Sequence, residues 1–180
     1  DLDLTAMIAA HAERKARATI ALTAVENPGQ YGVVEADPDG RVLRFLEKPA
    51  PGQSTARTVN AGAYVLDREL LDLIPSGRVT SIEREFFPRL LAENFPVFGW
   101  NADAYWLDIG TPQKYRQAHR DLLSGALRTP VTPPGTKRET VWIGEGTVID
   151  PGAVLSGPAI LGRDVRLAAV GSVATAACTS

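Results

Sequence analysis

In the second half of the chain aliphatic residues recur at every sixth position. Ile143, Ile149, Leu155, Leu161 and Leu167 hold one phase, and Thr147, Ala153, Ala159, Val165 and Gly171 hold a second. A helix repeats its buried face every ~3.6 residues and a strand every ~2, so neither sustains a beat of six. A coil of short parallel strands does, with three hexapeptides making one triangular turn. The segment from Val141 onward is therefore expected to be the start of a parallel β-helix. Ile143, Ile149, Leu155 and Leu161 should stack inward along one ladder, with the small residues of the second phase filling the same narrow interior. A stack of this kind leaves strand edges unpaired at its ends.

The rest of the chain is of another kind. The full chain of 180 residues is 44% hydrophobic and 22% charged, which suits one or two globular domains. The net charge of −2, from 19 basic and 21 acidic residues, gives no electrostatic reason to expect nucleic acid or an anionic membrane as partner. Cys178 is the sole cysteine, so the sequence carries no disulfide framework and no thiol metal cluster, in keeping with a cytoplasmic protein. No basic start leads into an apolar run, and no apolar stretch approaches the roughly 20 residues of a membrane span. The chain opens on Asp1, without an initiator Met and directly into a helical pattern, so an N-terminal portion is expected to be missing.

Asp3 can cap a helix with Leu4, Met7, Ile8 and His11 on one face. Strands are expected over 18–25, 31–36, 41–47 and 58–66, the second and third joined as a hairpin by Asp37-Pro38-Asp39-Gly40. A short helix should follow Asp67. Thr80 and Glu83 read as a capping box for a helix over 81–94, which Pro88 should kink or split. Further strands are expected over 96–100 and 104–107, and Thr111-Pro112 should open a helix that stops near Gly125. Strands mixed with helices imply an α/β layered domain. The predicted boundaries are a sugar-binding part of a catalytic domain over 1–127, a Pro-rich linker over 128–140 and the hexapeptide segment over 141–180.

Four short motifs occur in order: Tyr31-Gly32-Val33-Val34, Phe45-Leu46-Glu47-Lys48-Pro49, Asn60-Ala61-Gly62 and Tyr105-Trp106-Leu107-Asp108-Ile109-Gly110-Thr111-Pro112. With the hexapeptide tail behind them, the chain resembles the sugar-nucleotide pyrophosphorylases from about residue 1 to 172. Within that family the Ser81-Ile82-Glu83 helix opening and the tail are most similar to the mannose-1-phosphate guanylyltransferases. The resemblance implies part of a Rossmann-like nucleotidyltransferase mixed sheet with helices, followed by a left-handed parallel β-helix. It also implies a nucleotidyltransferase that takes a nucleoside triphosphate, GTP foremost, and a sugar 1-phosphate, with Mg2+ as cofactor. Tails of this kind often mediate self-association in the family, so a homo-oligomer is a further expectation.

Residue by residue, the resemblance places sugar hydroxyls on Glu47, the sugar's phosphate near Lys48, the sugar ring against Gly32, Asn60 and Gly62, and magnesium on Asp108. Lys48 and Asp108 are the catalytic candidates. Taken singly, Glu47 and Lys48 also read as a surface pair before a proline turn, Asp108 as a cap, Gly32 as a bulge and Asn60 as a turn residue. The family's Gly-rich phosphate loop and second magnesium carboxylate have no counterpart in the sequence, so the 180 residues alone are expected to be inactive. Two alternatives stay open: a thymidylyl- or uridylyltransferase acting on glucose 1-phosphate, and a non-catalytic subunit of the same architecture.

Overall fold

The computed structural model describes residues 2–133, 135–169, 172–174 and 177–178; Asp1, Pro134 and Gly171 lie outside them. Contacts gather the chain into two units, Leu2–Trp106 and Leu107–Ser180. In the first, α1 (Leu4–Glu13) begins at Asp3, whose carboxylate accepts the Ala6 N–H at 2.9 Å. Of the apolar face expected for α1 only Met7 is fully buried, while Leu4 and Ile8 stay 57% and 56% exposed. His11 turns inward to hydrogen-bond Thr19 at 2.9 Å and Asp67 at 3.3 Å, a structural role.

The strands β1 (Ala18–Ala24), β2 (Gly32–Ala36), β3 (Val42–Glu47), β4 (Thr58–Leu66) and β5 (Val97–Asn101) form one mixed sheet in the order β3-β2-β4-β1-β5. Only β1 and β5 run parallel. The β2–β3 hairpin closes where expected, with Gly40 at φ +84° and the Asp37 carboxylate accepting the Arg41 N–H. Ala18 to Leu22 is buried without a break, the mark of a strand covered on both faces. Ile20 and Leu22 join Phe45, Leu70, Phe86, Phe87, Leu90 and Val97 in one apolar cluster. Phe45 stacks on Phe87 with centroids 5.4 Å apart.

The helix expected over 81–94 is split. A π-helical turn, Ile82–Phe86, runs into α2 (Phe87–Ala92). Pro88 sits in the first turn of α2, where its missing N–H costs nothing. The cap is Ser81 rather than Thr80: its hydroxyl accepts the Arg84 N–H at 3.1 Å, and Glu85 takes the Ser81 N–H at 3.1 Å. In a wide turn the residue that reaches back to the cap is one further along, so Glu85 assumes the capping role that the sequence pattern gave to Glu83. Ala104 to Leu107, expected as a strand, is not one. The segment is anchored by a side chain instead: the Trp106 indole N–H donates to the Ala61 carbonyl at 3.0 Å.

In the second unit α3 (Pro112–Ser124) is capped by Thr111 and ends at Gly125, φ +82°. After it come β6 (Thr136–Arg138), β7 (Val141–Ile143), β8 (Val148–Ile149), β9 (Val154–Ser156), β10 (Ala159–Leu161), β11 (Arg166–Leu167), β12 (Ser172–Ala174) and β13 (Ala177–Cys178). β7, β8 and β9 each pair in parallel with the strand eighteen positions on: Val141 with Ala159, Val148 with Arg166, Val154 with Ser172. Ile143, Ile149 and Leu155 therefore lie on three different ladders, and only Leu161 returns to Ile143. The expected single ladder is corrected for a geometric reason: each strand pairs with the one eighteen residues on, so a step of six moves to another ladder and three steps are needed to return to the first. Ala159, Leu161 and Leu167 are buried, whereas Val148 and Val154 face outward. Neighbouring turns touch closely at Gly144, where a side chain would overlap the Gly162 carbonyl, and Thr147 donates its hydroxyl to that carbonyl at 2.7 Å.

Candidate active site

Gly32 is the first residue of β2 and stands directly across from Glu47, the last residue of β3. A side chain on Gly32 would come within 2.9 Å of the Phe45 ring and 3.2 Å of the Glu83 carboxylate. Glycine here lets Phe45 and Glu83 pack closely against the β2 backbone. On the adjacent strand β4, Asn60 is 8% exposed and fully engaged. Its amide nitrogen donates to the Tyr64 hydroxyl at 2.7 Å and to Glu83 at 2.8 Å, and its oxygen accepts the Gly62 N–H at 2.9 Å. Gly62 marks a bulge: Asn60 and Tyr64 pair with Leu22 and Ile20, so β4 carries extra residues there, and Gly62 takes φ +83° to accommodate them.

Glu47 is 14% exposed at its side chain, and Glu83 is among its charged neighbours. Burial first, then the neighbouring Glu83 charge and hydrogen bond, push its carboxyl above the ordinary carboxylate value, while Lys48 and Arg84 pull it partly back. Lys48 adopts φ +47°, unusual for a residue with a side chain. Its N–H is held by the Tyr31 carbonyl at 3.1 Å, and its ammonium, on a side chain 61% exposed, lies 3.9 Å from Glu47. Tyr31 also meets the edge of Trp106 at 5.4 Å between centroids. Gly32, Glu47, Lys48, Asn60 and Gly62 thus gather at one end of β2, β3 and β4.

Asp108 belongs to the second unit and is described by itself. Its side chain is 51% exposed, with one oxygen 3.8 Å from the Lys114 ammonium. Among the described residues no group of three or more His, Cys, Asp or Glu is placed to hold a metal ion. A lone, accessible carboxylate is still the donor type magnesium takes when substrate phosphates and water complete its octahedron.

Two residues of the first-unit cluster escaped the sequence reading. Tyr64 lies at even spacing from Asn60 along β4, a period-two signal that was open to view. Glu83 was assigned to capping, and only the π turn releases it to face Asn60.

The sequence profile of the family described as Nucleotidyl transferase matches residues 1–125. The chain belongs to this family. It is 35% identical to "Mannose-1-phosphate guanylyltransferase" of Mycobacterium tuberculosis, over 92% of the chain and 45% of that protein. It is 34% identical to "UTP--glucose-1-phosphate uridylyltransferase" of Synechocystis, over 90% of the chain and 47% of that protein. It is 38% identical to "Mannose-1-phosphate guanyltransferase" of Debaryomyces hansenii, over 65% of the chain and 30% of that protein. The chain spans at most about half the length of these relatives. No helix among the described residues is long and apolar enough to cross a membrane.

Proposed function

We propose that this nucleotidyltransferase chain carries the sugar 1-phosphate side of an enzyme that joins mannose 1-phosphate to GTP, forming GDP-mannose and pyrophosphate. The observation that carries the reading is the gathering of Glu47, Asn60 and Lys48 beside Gly32 at one end of β2, β3 and β4. Sugar hydroxyls are donors, and Glu47 offers them a carboxylate. The sugar's phosphate is a dianion, and Lys48 offers a cation beside that carboxylate. In the transfer a sugar phosphate oxygen attacks the α-phosphorus of the triphosphate and pyrophosphate departs. These side chains contribute alignment and charge neutralisation, not covalent chemistry. Asp108 would hold a magnesium ion, which when bound neutralises phosphate charge.

The guanylyltransferase names of two of the relatives support mannose 1-phosphate and GTP, and the Synechocystis relative supports glucose 1-phosphate and UTP as the second reading. The test uses a chain of the relatives' length. Pyrophosphate release with mannose 1-phosphate and GTP, well above that with glucose 1-phosphate and UTP, is the expected result; the reverse preference selects the second reading. Lys48→Ala should raise KM for the sugar phosphate and lower kcat, together on the order of a hundredfold in kcat/KM. Asp108→Asn should lower kcat by a similar factor or more without moving the unfolding midpoint. Unchanged kinetics in either variant refute the role given to that residue.

For the second unit the proposal is a left-handed parallel β-helix, supported by the eighteen-residue return of its parallel ladders, through which copies of the protein associate. Sedimentation of the protein with and without residues 136–180 tests the association.

A further inference from the structure

Lys48 holds a left-handed backbone, φ +47°, just past the end of β3, and β4 holds its bulge at Gly62, φ +83°. A side chain in that region of backbone space costs free energy and persists only where its surroundings hold it. The Lys48 N–H is held by the Tyr31 carbonyl at 3.1 Å, and the Gly62 N–H by the Asn60 side-chain oxygen at 2.9 Å. The Asn60 amide cannot turn away from that task, because both its hydrogens are spent, on Tyr64 at 2.7 Å and on Glu83 at 2.8 Å. Between Asn60 and Gly62 stands Ala61, whose carbonyl accepts the Trp106 indole N–H at 3.0 Å. Trp106 in turn meets Tyr31 edge to face, with ring centroids 5.4 Å apart and planes at 78°. A continuous set of contacts thus runs from the bulge through Trp106 and Tyr31 to Lys48, all of it within Leu2–Trp106. Neither aromatic belongs to the apolar cluster of that unit, so core packing does not account for their meeting.

We propose that Trp106 is a positioning residue for Lys48. Hung from the Ala61 carbonyl, its indole braces Tyr31, and Tyr31 holds the Lys48 turn so that the ammonium stands 3.9 Å from Glu47, ready for the phosphate of a sugar 1-phosphate. The Lys48 side chain is 61% exposed, so little packing aims it, and its direction is set by the backbone from which it leaves. A lysine freed from that turn keeps its charge and loses its direction, and the phosphate must then order it on binding at an entropic cost. Asn60, with no amide hydrogen to spare for a ligand, serves the same end by fixing the bulge that presents the Ala61 carbonyl. Resting on the sugar-site reading of the preceding section, this role adds to it a residue that acts through Lys48 and not on the ligand.

The experiment is a double-mutant cycle, read by titration calorimetry of the 180-residue chain with mannose 1-phosphate, on the wild type, Lys48→Ala, Trp106→Phe and the two together. Phenylalanine keeps a ring beside Tyr31 and removes the donor to Ala61. Lys48→Ala should weaken binding on the order of tenfold, and Trp106→Phe about fivefold. The double variant should bind no more weakly than Lys48→Ala alone, since nothing remains to be positioned once the ammonium is gone. A residue that only props up the fold weakens binding by the same factor in both backgrounds. That outcome, or Trp106→Phe binding as the wild type does, overturns the positioning role and leaves the sugar site standing. Lys48→Ala binding as the wild type does overturns both, as does a wild type that binds neither mannose 1-phosphate nor glucose 1-phosphate. Should Trp106→Phe fail to fold, Tyr31→Leu takes its place in the cycle: no further loss beyond Lys48→Ala supports the brace, and an equal loss in both backgrounds overturns it.

Discussion

Glu47 shows how a candidate binding residue can weaken the fold that holds it. Its carboxyl is raised above about 4.5 chiefly by burial and by Glu83. Below that value it is protonated in the folded and unfolded chain alike, and no pH-dependent cost arises. As pH rises through it the unfolded chain gives up the proton first, so stability falls until the folded carboxyl ionises too, and stays lower above that point. Glu47→Gln removes the ionisation. Its unfolding midpoint should match that of the wild type near pH 4 and exceed it by roughly 1–3 °C at pH 7.5. Equal midpoints at both pH values would remove the basis for calling the carboxyl strained. Lys48, at φ +47°, bears a second cost of the same kind, a backbone conformation held in place by its bond to Tyr31. Such costs are invisible in a sequence. The E-K-P string shows which residues are candidates but not that Glu47 is buried against another carboxylate.

At the scale of elements, the wide turn at Ile82–Phe86 decides which side chains face the sheet. It holds one residue more than an α-helical turn would. Deleting the exposed Arg84 should convert it to α spacing and rotate Glu83 by about 100° relative to the buried Phe86 and Phe87. Circular dichroism and the unfolding midpoint should change little, while binding of mannose 1-phosphate should weaken at least tenfold. A deletion variant that binds as the wild type does would show that Glu83 is dispensable. In the hexapeptide region the corresponding test is Leu161→Asp, which places a charge at a fully buried position at a cost of roughly 3–5 kcal/mol. Amide hydrogen exchange should then lose protection over residues 141–167 and keep it over 18–22. Uniform loss in both regions would mean that the two units unfold as one. The strands of the first unit were legible in the sequence where β-branched and aliphatic residues ran together, as in 18–24, or where turn chemistry was specific, as at Asp37–Gly40. The capping box was misplaced because Thr-x-x-Glu assumes an α-helical turn, and the false strand at 104–107 arose because apolar aromatics mark a strand and a side-chain anchor alike.

On the scale of the whole molecule, family membership was legible from the order of four motifs, none of them informative alone, and the sheet that carries the first three agrees with it. Five of the six candidate residues gather at one end of that sheet, in the unit Leu2–Trp106, while Asp108 lies in the unit beginning at Leu107. The step of six was also legible, but its three-fold consequence was not fully drawn: one phase visits all faces before it revisits any. β6 has a bearing on this. It pairs with β7 in the antiparallel sense, whereas β7 pairs with β10 in the parallel sense. β6 therefore runs against the parallel ladder that β7 and β10 form, and Lys137 within it lies over the Trp142 ring. A column of like turns can lengthen wherever its last turn presents the same row of donors and acceptors that the turn before it did. At β7 that row is already taken by a strand of the wrong direction. With β10 on one side and β6 on the other, Val141–Ile143 is a closed seat: a further strand, inserted or from a second copy, finds no edge of β7 to join.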